Sequence, residues 1–206
     1  MSTVNTEWKA GGTAEASYAI WASHGGGIQY RLCPAFSELN EDCFQQMPLA
    51  FATNHSLIRY TDGTTPDVEV PAVDASEGTS PVGSAWRRMP VPACNCDIGD
   101  SCKTSLIKKP GNMFLAYDDA GSDDVPNCPT GTQFEVPAPG IYGVGGYQCT
   151  GGAVGRIPKD CDLNFEWSIV DELVVPDAPG DYVLSWRWDA EQTAQVWSTC
   201  ADITIV

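Results

Sequence analysis

The chain has 206 residues, 43% of them apolar, with 20 glycines and 15 prolines. That suits one turn-rich domain with a sizeable core and excludes a disordered chain. Its formal charge is −16, with 11 Lys and Arg against 27 Asp and Glu, which argues against nucleic acid or an anionic membrane as partner. The acids chiefly keep the chain in solution, and a neutral polymer or a cation stays open as a ligand.

No apolar run is long enough to span a bilayer. Met1–Gly11 is polar and lacks the apolar centre of a secretory signal. Nine cysteines nevertheless suit a secreted, extracellular protein. The two facts agree if the chain is a mature form, a recombinant piece or a truncated reading of a longer protein; the last two are favoured.

In chain order, EWKA (Glu7–Ala10) leads through Gly11 and Gly12 into an alternating run. Ala14, Ala16, Tyr18, Ile20 and Ala22 share one face of a first strand. Ser23-His24-Gly25-Gly26-Gly27 follows, and Ile28, Tyr30 and Leu32 resume the alternation. The pattern predicts a hairpin over 13–33 with His24 at its tip. Cys33 and Cys43 bracket a short loop, and Phe44–Phe51 fits a short strand or one turn of helix. Asn54-His55-Ser56 matches the N-glycosylation acceptor, which places Asn54 on a surface loop of a secreted protein. Ser56–Tyr60 and Asp67–Val70 are short strands around an Asp62-Gly63 turn.

Ser76–Gly99 reads as irregular, with Trp86-Arg87-Arg88 as its one bulky basic patch. Residues 94–161 hold Cys94, Cys96, Cys102, Cys128, Cys149 and Cys161. These predict a disulfide-rich loop region within an insertion spanning about 76–162. A Cys-rich metal knuckle is the lesser alternative, since Cys94-x-Cys96-x5-Cys102 lacks the paired spacing of structural zinc sites and neither histidine is near in sequence. Asp118-Asp119 and Asp123-Asp124 lack the spacing of a calcium loop and read as solvated. Asn164–Val175 is a further strand, with Phe165, Trp167 and Ile169 on one face. Tyr182–Asp189 and Gln195–Val206 form a long aromatic hairpin around a polar break. Strands at both ends and loops between them predict a single all-β sandwich domain over 1–206.

No esterase elbow, phosphate loop or dinucleotide fingerprint is present. A nucleophile triad would need His24 or His55, and nothing singles out a pair of carboxylates for glycoside hydrolysis. His24 is the residue of interest. Its flanking glycines leave the ring uncrowded, and Gln195 and Trp197 open the last strand at what should be the same end of the sandwich. An imidazole, an amide and an indole meeting at an exposed edge resemble part of a copper site.

SHGGGIQYRLCP (Ser23–Pro34), EDCF (Glu41–Phe44), Arg87–Cys94 with Met89-Pro90-Val91-Pro92, and Tyr182–Ile205 resemble secreted lytic polysaccharide monooxygenases. The likeness is to an algal and oomycete-type branch related to the chitin- and cellulose-active enzymes. It covers most of the chain and is strongest in the first and last hairpins. It implies an immunoglobulin-like β-sandwich and a copper ion held by a histidine brace. The brace consists of the amino group and ring of an N-terminal histidine plus the ring of an internal one. It also implies oxidative cleavage of an insoluble β-linked polysaccharide such as chitin or cellulose. By position, His24 resembles the internal metal-ligating histidine. Gln195 resembles the glutamine that steers the oxygen species, and Trp197 stands where an axial tyrosine or phenylalanine is usual.

The chain departs from that pattern. No histidine precedes His24, so the family's N-terminal segment is expected to be missing. Relatives carry a cysteine at the place of Ala190, paired with the one matching Cys200; its loss leaves Cys200 without that partner, unless a cysteine in the missing segment takes it. Two other functions fit the sequence: a non-catalytic polysaccharide-binding module, and a structural subunit that presents the sandwich to protein assembly partners.

Overall fold

A computed structural model describes residues 6–20, 23–91, 137, 141, 165–191 and 194–206. The expectations for Cys94, Cys96, Cys102, Cys128, Cys149, Cys161 and the aspartate pairs lie outside them. Ten strands are described: β1 (Thr6–Trp8), β2 (Thr13–Tyr18), β3 (Gly27–Pro34), β4 (His55–Tyr60), β5 (Val68–Pro71), β6 (Asp74–Ala75), β7 (Trp86–Arg88), β8 (Trp167–Val174), β9 (Gly180–Asp189) and β10 (Val196–Ile205). A single helical turn, α1 (Glu41–Phe44), lies between β3 and β4.

The strands form two sheets, ordered β1-β10-β9-β3-β7-β6 and β2-β8-β4-β5. One continuous core joins them. Ile28, Tyr30 and Leu32 of β3 and Leu184 and Trp188 of β9 meet Tyr18, Ile58, Trp167, Ile169 and Leu173 of the other sheet. Burying each such side chain contributes roughly 1.5–3 kcal/mol. The fold is therefore the all-β sandwich that the alternating patterns predict.

The terminal hairpin forms as expected. β9 and β10 pair antiparallel from Val196↔Asp189 to Ile205↔Gly180, and β9 is central, with β3 on its other side. β4 and β5 also pair antiparallel, around the Asp62 turn. There the Asp62 carboxylate accepts hydrogen bonds from the Thr65 hydroxyl and from the N–H groups of Thr64 and Thr65, which lower its pKa to about 2. The hairpin expected over 13–33 does not form. β2 pairs with β8 in the smaller sheet, and β3 pairs with β9 and β7 in the larger. Both strands alternate because both face the core, and alternation does not say which strand a neighbour is. His24 thus lies in a crossover between sheets, not at a hairpin tip. The helical turn falls at Glu41–Phe44, just ahead of the predicted Phe44–Phe51.

The Trp86-Arg87-Arg88 patch is also corrected. These residues are a strand, and Arg87 is fully buried between the sheets. Its guanidinium reaches Asp171 of β8 (3.1 Å) and Asp74 of β6 (2.8 Å), and donates to the carbonyls of Thr53 and His55. Its centre lies 3.9 Å from the middle of the Phe51 ring. Asp171 also accepts from the Ser56 hydroxyl (2.5 Å) and the Tyr30 hydroxyl (3.1 Å). Burial pushes the Asp171 carboxyl upward, and the bonds from Ser56, Arg87 and Tyr30 pull against it. Burial and the Asp171 charge together push the phenols of Tyr18 and Tyr30 well up.

The loop after β3 is pinned by the Cys33–Cys43 disulfide. This places Glu41 where one carboxylate oxygen bridges Arg31 (2.6 Å) and Arg187 (2.7 Å) on the outer face of the larger sheet. At the far side of that sheet β1 runs parallel to β10, opposite Ile203–Ile205 only. Residues 196–202 of β10 are exposed, and no described strand lies along their outer flank.

Candidate functional site

The crossover, the turn after β9 and the start of β10 form one rim of the sandwich. Its shape depends on Gly26. That residue has φ +81°, and a Cβ there would lie 2.0 Å from the Asp189 carbonyl oxygen and 2.9 Å from the Glu191 nitrogen. Only glycine allows the two backbones to approach so closely. The approach lets the Glu191 N–H donate to the His24 carbonyl (3.1 Å) and the Met89 N–H to the Gly26 carbonyl (2.9 Å). The Trp188 indole N–H donates to the Gly25 carbonyl (2.7 Å), and the Ser23 hydroxyl to the Val91 carbonyl (3.0 Å). The backbone of His24 is therefore fixed from both sides.

The His24 ring is half-buried and stacks on Trp188, with centroids 5.8 Å apart and planes 15° from parallel. Behind Trp188 the aromatic contacts continue inward to Trp186 (6.2 Å) and Tyr18 (4.8 Å from Trp186). Trp188 lies directly opposite Trp197 across the β9–β10 ladder, so both indoles project from the same side of the sheet. Trp188 is 5% exposed and Trp197 is 52% exposed. The turn between them closes by the Ala190 N–H donating to the Gln195 carbonyl (3.0 Å). The Gln195 side-chain oxygen then accepts the Trp197 indole N–H (3.2 Å). The fold thus brings His24, Gln195 and Trp197 to one rim, with Trp188 between the imidazole and the outer indole.

Trp188 is a core residue, as its alternation with Tyr182, Leu184 and Trp186 predicts, and it stands next to the end of β9, where it also meets the His24 ring. His55 is elsewhere, opening β4 in the smaller sheet with its ring 3.8 Å from Glu69. Asn54 is exposed on the bend before β4. Cys200 is a free, exposed thiol on β10.

A copper brace needs several nitrogen donors around one point. Among the described residues, His24 brings one ring to the rim, and no group of three or more His, Cys, Asp or Glu side chains stands close enough to hold a metal. The Gln195 oxygen is engaged by Trp197. The described residues alone do not fit the ion, and no oxidative step is derived from them. What they do offer is a half-exposed indole held by an amide, on the same rim as an imidazole. Comparison of this chain with protein-family models, with curated proteins and with solved structures finds no match.

Proposed function

We propose that this is a secreted carbohydrate-active sandwich whose rim docks a neutral, insoluble polysaccharide such as chitin or cellulose. The observation that carries the reading is the Trp197 indole. It stands half-exposed with its N–H fixed by Gln195, which leaves an apolar ring face for the C–H face of a sugar. The Gln195 side chain and the His24 ring place polar groups on the same rim, the kind of groups that sugar hydroxyls pair with. A charge of −16 favours a neutral polymer over a polyanion. Retention on insoluble chitin and cellulose tests the reading. The chain is expected to be retained on one of them and Trp197→Ala to be released. No retention on any glycan, or equal retention of Trp197→Ala, would overturn it.

A second reading, a copper-dependent polysaccharide monooxygenase, is favoured by the place of His24 at the rim. It needs further nitrogen donors from outside the described residues. Copper titration by calorimetry on the chain and on His24→Ala tests it, together with the release of oxidised sugars in the presence of a reductant. Equal copper affinity in both proteins would remove His24 as a ligand.

A further inference from the structure

We propose that Asn54 carries an N-linked glycan, and that the fold requires it to be attached before β4 docks. The acceptor pattern Asn54-His55-Ser56 pairs an amide that receives the sugar with a hydroxyl two residues on that the transferase must also recognise. In the folded chain these two groups are separated. Asn54 is exposed on a bend whose carbonyl accepts the Ala72 N–H (2.9 Å). Ser56 is 1% exposed. Its hydroxyl donates to Asp171 (2.5 Å) and lies 3.4 Å from an Arg87 nitrogen.

The backbone on either side is held as well. Arg87 donates to the Thr53 carbonyl (2.6 Å) and to the His55 carbonyl (2.9 Å). Freeing the Ser56 hydroxyl would strip a donor from a buried carboxylate and pull β4 away from β8, to which it pairs from Leu57↔Val170 to Tyr60↔Trp167. The native state therefore presents the amide and withholds the hydroxyl. Once attached, the glycan stays outside, because the Asn54 side chain already faces solvent.

The donor is an oligosaccharide on a polyprenyl diphosphate. A bond forms between the Asn54 side-chain nitrogen and the sugar C1, the C1–O bond to the diphosphate breaks, and the amide proton leaves with the diphosphate product. The proposal rests on the reading that the chain enters the secretory pathway, which the Cys33–Cys43 disulfide supports. It does not depend on what the rim binds, and polysaccharide retention is scored separately.

The test has two arms. The full chain is secreted from a eukaryotic host behind a host signal sequence. One glycan is expected, removable by a peptide N-glycosidase, absent in Asn54→Gln and in Ser56→Ala, and kept in Ser56→Thr. Absence of the glycan from secreted, folded protein would overturn the site; Asn54→Gln leaves the buried cluster intact and guards against misfolding as the cause. In the second arm, folded chain made without glycan is given purified oligosaccharyltransferase and a lipid-linked donor. No modification of Asn54 is expected, whereas an Asn-His-Ser tripeptide appended after Val206 is modified. Equal modification of both would overturn the timing.

Discussion

Arg87 and His24 both lie beside β3, yet one is sealed in and the other is left at the edge. Arg87 pairs across from Ile28, points between the sheets, and meets Asp171, Asp74 and two backbone carbonyls with no exposed surface. His24 sits three residues ahead of β3, half-buried, stacked on an indole whose cross-strand neighbour is open to solvent. The first arrangement is closed to a ligand and ties the sheets together. The second keeps its backbone rigid and leaves aromatic surface available. The difference separates the polar groups that tie the two sheets together from those that stand at the edge of the sandwich.

The sealed side gives the largest expected effect. Asp171→Ala leaves the Arg87 charge buried with half its compensation, and a loss of about 3–5 kcal/mol is expected. Urea melts of Asp171→Ala and of Arg87→Met with Asp171→Leu would check it; the double variant should lose less than the single. If the double variant lost more, the cluster would be contributing net stability beyond pairing. Across the rim, Trp188→Ala should cost about 3–5 kcal/mol, as for other buried aromatics. It should also raise the mobility of the His24 ring, which NMR line shapes would report.

A smaller effect is expected from pH. The hydrogen bonds and charge of Arg59 hold the Glu15 carboxyl below its ordinary range. At Glu41 partial burial works against ionisation, but bonds from Gln45 and Arg31 and the charges of Arg31 and Arg187 outweigh it and lower the pKa. A carboxylate with a depressed folded pKa adds stability above its ordinary value of about 4.3, and that contribution is lost as pH falls through the depressed one. Both groups are partly exposed, so water screens them and each should contribute about 0.2–1 kcal/mol. Urea midpoints should fall between about pH 5 and pH 3, and Glu41→Gln should flatten that slope. Trp197→Ala is expected to change stability least, by about 0.5 kcal/mol or less, because the ring is half in water. If it proved as costly as Trp188→Ala, the two neighbouring indoles would share one structural role and the contrast would fail.

Much of the architecture was legible because the sheets alternate cleanly. Tyr182, Leu184, Trp186 and Trp188 announce β9, and Ile203 and Ile205 anchor β10. Pairing partners were less legible. β2 and β3 look like a hairpin in sequence because the period of two reports a buried face and not the neighbour that shares it. The strand Trp86–Arg88 is too short to alternate visibly, and a lone arginine reads as surface until its acids appear. Those acids are far away along the chain, with Asp171 separated from Arg87 by 84 positions. The rim was foreseen in part, since His24, Gln195 and Trp197 do gather there. Trp188 between them is buried, as its place in the alternation predicts; that it also carries the His24 ring depends on the crossover, which the pattern does not show.

Among the described residues no strand lies along the outer flank of β10 at 196–201, and this has a practical consequence. Val196, Trp197, Ser198, Thr199, Cys200 and Ala201 contain no lysine, no proline and no charge to discourage another copy from hydrogen-bonding alongside. The formal charge of −16 opposes such an approach. That repulsion vanishes near the isoelectric point of about 4.2, and solutions taken there should cloud, sooner at high salt and sooner still as concentration rises.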